Sequence, residues 1–188
     1  ALGGEVVAEQ KFTEGDKDFR AQLTAIRAAR PDVIAATGFY SEAALICRQA
    51  RSLGIEVPFI GGDGWEAPQL VELGGPAVEG SYYSTYFSAE NNAPEVQSFV
   101  QRYRARWSNE TPEAVSALGY DALRLIAAAI QRNGTADSRK LRDAIAATRD
   151  FAGVTGRTTI DAKRNSEKAA VMLTIKEGKP RFFEAVTP

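Results

Sequence analysis

Asp32-Val33-Ile34-Ala35-Ala36-Thr37-Gly38-Phe39-Tyr40-Ser41-Glu42-Ala43 is a short apolar run that ends on a polar and aromatic signal at the mouth of a helix. Val57-Pro58-Phe59-Ile60-Gly61-Gly62-Asp63-Gly64-Trp65 repeats that arrangement. Two such units in succession predict neighbouring strands of a parallel α/β sheet, in which ligands bind in the crevice beyond the carboxyl ends of the strands. Adjacent strands lie about 4.8 Å apart, so Tyr40 and Asp63 are expected to point into one crevice. A carboxylate, a phenol and an indole (Trp65) there suit a small cationic or zwitterionic ligand, and by themselves make no catalyst.

Outward from these runs, strand and helix signals alternate, the signature of a parallel sheet with helical crossovers. Glu5 to Phe12 alternates weakly and is expected as a strand. Asp16 to Arg30 carries Phe19, Leu23, Ile26 and Ala29 at helical spacing, with Asp16 as the expected N-cap. Val33 to Thr37 is expected as a buried strand. Ser41 is expected to cap a helix striped by Ala44, Ile46, Cys47, Ala50 and Leu53, which Gly54 ends. Val57 to Ile60 is the next strand, a short helix follows near Ala67 to Leu73, and Glu79 to Phe87 is a strand dense in Tyr and Ser. After Pro94 the pattern turns helical. Val96, Phe99, Val100, Tyr103 and Trp107 mark one helix. Pro112 to Arg132 forms a second, with Leu118, Ala122, Leu125, Ile126 and Ala129 on its apolar face, and Ser138 to Thr148 a third, with Leu141 and Ile145 inward. The tail is β, with strands over Gly153 to Ile160, Ala169 to Lys176 and Arg181 to Val186 and a hairpin turn at Glu177-Gly178-Lys179-Pro180.

Composition narrows the function. With 23 basic and 24 acidic residues the formal charge is −1, which argues against a nucleic-acid or anionic-membrane partner. The longest apolar stretch, Leu125 to Ile130, falls far short of the roughly 18 residues of a spanning helix. The chain has no histidine, so the usual general base, the Ser-His-Asp triad and the commonest zinc sites are missing. The single cysteine, Cys47, is expected as a small buried hydrophobe. No base, nucleophile or metal set emerges, and the expectation is a non-enzyme without cofactor or metal. The opening Ala1-Leu2-Gly3-Gly4-Glu5 has the character of a helix end running into a strand, as in a truncated or partial chain.

Several segments together resemble a family: Phe12-Thr13-Glu14-Gly15-Asp16-Lys17-Asp18-Phe19, Ala28-Ala29-Arg30-Pro31-Asp32-Val33-Ile34, Gly38-Phe39-Tyr40-Ser41-Glu42-Ala43-Ala44, Ile60-Gly61-Gly62-Asp63-Gly64-Trp65, Gly119-Tyr120-Asp121-Ala122 and Phe151-Ala152-Gly153-Val154-Thr155-Gly156. In this order, over most of the 188 residues, they resemble the C-terminal portion of periplasmic solute-binding proteins of the branched-chain amino-acid ABC-transporter type. The resemblance implies an α/β, type I periplasmic-binding-protein (Venus-flytrap) fold of two lobes. In this chain it implies mainly the second lobe, a parallel sheet flanked by helices, with the first-lobe core missing. It implies that residues 1–112 belong to the second lobe, 113–155 are helical elements of the first, and 156–188 return to the second.

The function so implied is the extracytoplasmic, periplasmic capture of a small molecule in an interlobe cleft and its delivery to an ABC-transporter permease. The ligand would be an amino acid, branched-chain or related, or an aromatic acid. A ligand-sensing domain of the same fold in a receptor or regulator is the alternative. The helices of residues 117–148 are expected to fold back onto the chain itself, to pair with a second copy in a homodimer, or to meet the missing segment.

Four residues stand as ligand-site candidates. In the family an acidic residue near Asp63 accepts the ligand's ammonium, although an Asp there could simply cap the following short helix. Tyr40 could wall the pocket and hydrogen-bond the ligand, or pack at the sheet's end. Trp65 is expected as a pocket wall or a lobe-interface contact. Tyr120 could close over the ligand, or belong to the core.

Overall fold

A computed structural model describes residues 3–187. Helix α1 spans Arg20–Ala29, strand β1 Ile34–Ala35, α2 Tyr40–Ser52, β2 Phe59–Gly61, α3 Pro68–Gly74 and β3 Tyr82–Thr85. Then come α4 (Pro94–Arg106), α5 (Ala114–Asn133), α6 (Ser138–Ala146), β4 (Phe151–Gly153), β5 (Gly156–Ile160), β6 (Ser166–Glu167), β7 (Ala170–Lys176) and β8 (Lys179–Val186). Five strands form one sheet in the order β1-β2-β3-β7-β8. The decisive pair is as expected: β1 and β2 are parallel, with Ile34 opposite Phe59 and Ala35 opposite Ile60, and β2 runs parallel to β3.

The chain divides into two compact units, residues 3–84 with 173–181 and residues 85–172 with 182–187. In the first unit the strands bury one face. Ile34, Ala36 and Phe59 are buried, whereas Val33 and Ile60, which alternate to the other side, are 43% and 40% exposed. Val33 to Thr37, expected as a buried strand, is therefore buried on one face only. Ala44, Cys47 and Ala50 of α2 are fully buried, small side chains that let a helix lie close against its neighbours. Burial pushes the Cys47 thiol up to about 12, which leaves it inert.

Several local expectations are revised. Glu5 to Phe12 forms no strand. Its far end is anchored, since Phe12 meets Phe19 edge-on at 5.4 Å and Gln22 donates to the Lys11 carbonyl at 3.3 Å. The rest makes no ladder with the edge of β1: a groove of about 960 Å³ lies between residues 4–12 and 30–35, and Val6 is 82% exposed. Asp16 does not cap α1; its carboxylate accepts from the Thr13 N–H at 2.8 Å, closing a turn ahead of the helix. Ser41 caps nothing either, because its hydroxyl donates to Glu42 at 2.6 Å and Phe39 holds the N-cap position of α2. The hairpin turn is present: Glu177 and Gly178 both take positive φ, and their N–H groups donate to the two oxygens of Glu79.

The second unit starts at Thr85, whereas residue 112 is the lobe boundary that the resemblance implies. Phe87, Val96, Phe99 and Val100 form one core cluster with Ala114, Ala117 and Val154, so α4 belongs with α5 rather than with the first unit. A three-stranded antiparallel sheet, β4-β5-β6, completes this unit. Asp121 ties it together. Its buried carboxylate accepts from the Val154 N–H at 2.9 Å, the Thr155 N–H at 2.8 Å and the Thr155 hydroxyl at 2.7 Å. The buried face of α5 consists of Ala114, Ala117, Asp121 and Ala129. Along the expected apolar stripe Ala129 is buried, Leu118 and Leu125 are half-buried, Ala122 is exposed and Ile126 is 37% exposed.

Candidate functional site

Two turns beyond the carboxyl ends of β1 and β2 carry the candidate residues Tyr40, Asp63 and Trp65, and both belong to the first unit. The first is Gly38-Phe39-Tyr40. Gly38 takes φ +126°, and a Cβ there would lie 3.1 Å from the Phe12 ring, so only glycine suits both backbone and packing. Phe39 is extended, and its carbonyl accepts the Ala43 N–H at 3.0 Å. Tyr40 is half-buried as the first residue of α2, and no described residue hydrogen-bonds its phenol oxygen.

The second turn is Gly62-Asp63-Gly64-Trp65, in which residues Asp63–Trp65 form a single 3₁₀ turn. Asp63 is exposed, and among the described residues nothing pairs with its carboxylate. It does not cap the next helix: Ala67 holds the N-cap of α3, with no side-chain cap. A solvated, unpaired acid beyond a strand end is a ready acceptor for an ammonium group.

The turns interlock. A Cβ on Gly64 would sit 2.6 Å from the Gly38 carbonyl oxygen and 3.2 Å from Cδ1 of Phe39. Trp65, expected to wall the crevice or meet another lobe, is instead fully buried. Its indole N–H donates to the Ala36 carbonyl at 3.1 Å, and its ring lies over Gly61, where a Cβ would come within 2.2 Å. An indole so enclosed holds the site from beneath and offers a ligand no surface. Tyr120 lies in the second unit. Its ring packs 4.9 Å from that of Phe99 and lies under the guanidinium groups of Arg102 and Arg124, and its phenol oxygen accepts from Arg102 at 3.0 Å.

Two further residues at the start of α2 are not among the expected ones. Glu42 is a buried carboxylate in the first turn of α2, where the helix dipole favours negative charge. It accepts from the Ser41 hydroxyl and from the Gly15 N–H at 2.9 Å. These hydrogen bonds, the Ser41 one foremost, hold its carboxyl below the ordinary range against the opposing pull of burial. Phe39, beside Asp63's turn, is 56% exposed. The signal that could have singled it out is its place at the mouth of the helix, between Gly38 and Tyr40. Among the described residues no three His, Cys, Asp or Glu side chains gather as a metal site.

The sequence profile of a family described as periplasmic binding protein matches residues 1–179. The Leu/Ile/Val-binding protein homolog 2 of Brucella abortus is 30% identical over 187 residues, covering 97% of this chain and 50% of its own. Among solved structures, the leucine-binding protein LivK of Thermotoga maritima superposes with a TM-score of 0.87 at 39% identity, over 94% of this chain and 51% of that one. LivJ of Streptococcus pneumoniae, a branched-chain amino-acid transporter substrate-binding protein in complex with isoleucine, gives 0.86 at 37% identity, over 99% and 53%. The chain therefore spans about half the length of the relatives it matches.

Proposed function

The chain belongs to the periplasmic binding protein family, and from that premise we propose that its protein is the extracytoplasmic solute-binding component of an ABC importer, a binding protein and not an enzyme, whose cargo is an amino acid, branched-chain or related. The observation that carries this reading is Asp63, an exposed carboxylate beyond β2 without a partner among the described residues, with Tyr40 opening α2 beyond the adjacent strand β1. Asp63 accepts the ligand's ammonium, and the Tyr40 hydroxyl bonds its amine or carboxylate. Isoleucine in LivJ supports an apolar amino acid as the class to test first. The permease of the importer is the partner that receives the cargo. Within the family fold, the first unit is assigned to the second lobe, and α5 and α6 to the first lobe, whose core the rest of the protein supplies.

The test is calorimetry on the full-length gene product with leucine, isoleucine and valine. Asp63→Ala should weaken binding by about 1.5–3 kcal/mol, the scale of a hydrogen bond to a charged group, and Tyr40→Phe by less. Tyr120→Phe tests the remaining candidate separately. Amino-acid binding that survives Asp63→Ala undiminished would sink the site. Binding of an acid without an amine, improved by the same substitution, would replace the amino acid with an anionic cargo.

A further inference from the structure

We propose that Glu42 is a positioning residue for Tyr40, fixing the start of α2 so that the phenol meets the ligand in one orientation. The inference rests on the amino-acid reading above and adds to it a residue that acts on the ligand only through its neighbour.

A carboxylate as enclosed as Glu42 costs free energy unless its oxygens are hydrogen-bonded, and both are. One accepts from the Gly15 N–H at 2.9 Å and the other from the Ser41 hydroxyl at 2.6 Å. The Gly15 bond is the long-range one, reaching 27 residues back along the chain to the turn that Asp16 closes on Thr13. Gln49 lies seven residues, about two turns, further along the same face of α2, and it holds the next part of that segment. Its amide donates to the Lys17 carbonyl at 2.8 Å, and its oxygen accepts from the Phe19 N–H at 2.7 Å. Residues 13–19 are thus strapped to α2 at two places, and only the Glu42 strap lies in the helix's first turn.

That turn begins with Tyr40. No described residue hydrogen-bonds the phenol oxygen, so the direction of the side chain depends on the backbone beneath it. Ahead of Tyr40 the backbone is confined by Phe12 against Gly38 and by Phe39 against Gly64. Behind it, Glu42 supplies the tie. The first N–H groups of a helix have no partner further back in the helix, so a first turn released from Gly15 is free to fray, and the phenol moves with it.

The competing explanation is that Glu42 only stabilises the first unit. In the full-length gene product, calorimetry with leucine and thermal melting separate the two. Glu42→Ala should cut leucine affinity about fivefold, the scale of one lost hydrogen bond. Glu42→Gln, whose amide oxygen can still accept from Gly15, should recover most of that loss. Tyr40→Phe should cost less in the Glu42→Ala background than in wild type, because a phenol already out of place has little left to lose. Gln49→Ala removes the other strap and is the control: the melting temperature should fall while leucine affinity stays within about twofold. A Glu42→Ala protein that melts lower yet binds leucine like wild type would overturn the proposal, as would losses that simply add to those of Tyr40→Phe, and either result leaves the amino-acid reading intact. Wild-type protein that binds neither leucine, isoleucine nor valine would remove both.

Discussion

The Trp65 indole N–H donates to the Ala36 carbonyl across 3.1 Å, joining the turn after β2 to the end of β1. Trp65 is fully buried, so this bond is shielded from water and fixes one turn against the other. Trp65→Phe keeps most of the packing and leaves the Ala36 carbonyl without this donor. The expected cost is about 1–2 kcal/mol, measured as a lower midpoint in urea unfolding followed by circular dichroism. An unchanged midpoint would mean that the bond contributes nothing.

Three glycines in one run should behave differently. A Cβ on Gly61 would fall 2.2 Å from the Trp65 ring, and one on Gly64 2.6 Å from the Gly38 carbonyl oxygen, whereas one on Gly62 meets nothing within 4 Å. The first two clashes are against an enclosed indole and against backbone, neither of which swings aside. Gly61→Ala and Gly64→Ala should each destabilise by about 1–3 kcal/mol. Gly62→Ala, at φ −95°, should be neutral or slightly stabilising through the unfolded chain. Thermal melts of the three variants give the order directly.

Glu42 makes the first unit acid-sensitive. Its carboxyl is depressed by the Ser41 hydroxyl and the Gly15 N–H. A depressed acid contributes stability that is complete above its unfolded value, near 4.5, and is lost as pH falls through the folded value. Glu42→Gln should therefore lower stability at neutral pH, and the gap to wild type should narrow below that value. Urea midpoints across pH 3 to 7 check this. Two curves that run parallel throughout would reject it.

Asp121 should be the most sensitive polar position of the second unit. All three of its hydrogen bonds are received by the carboxylate. In Asp121→Asn one oxygen is replaced by a donor that must face the Thr155 N–H or the Val154 N–H. The expected loss is about 2–3 kcal/mol, read by proteolysis within residues 150–156. A variant as resistant as wild type would show that the clamp is redundant.

How much of this was legible follows from where each signal resides. The β1–β2 pairing and the turns that follow these strands were legible because local chemistry encodes them: apolar runs, then glycine and an acid. Trp65 was misjudged because its burial depends on Gly61 lying beneath the ring, a tertiary fit that spacing does not report. Glu5 to Phe12 has a strand's alternation, yet alternation cannot secure a ladder partner, and the segment pairs with no strand. Asp16 and Ser41 have the composition of caps, but their side chains found nearer partners in Thr13 and Glu42. The early start of the second unit comes from aromatic contacts such as Phe87 with Phe99 at 5.8 Å, which no boundary composition announces.

The same helix face should respond oppositely in the 188-residue chain and in the longer protein proposed above. Val115 is 79% exposed on α5, Leu123 72% and Ile126 37%, and with Ala122 they follow helical spacing along one side. A bare apolar stripe of this kind is normally covered, and the first-lobe core is the occupant proposed here. In the 188-residue chain Leu123→Arg replaces solvated hydrocarbon by solvated charge. Stability should stay within about 0.5 kcal/mol of wild type, and light scattering should show less self-association. In the full-length gene product the same substitution buries an unpaired charge and should cost several kcal/mol. Equal tolerance in both proteins would show that α5 faces solvent in the whole molecule, and would remove α5 from the first-lobe core.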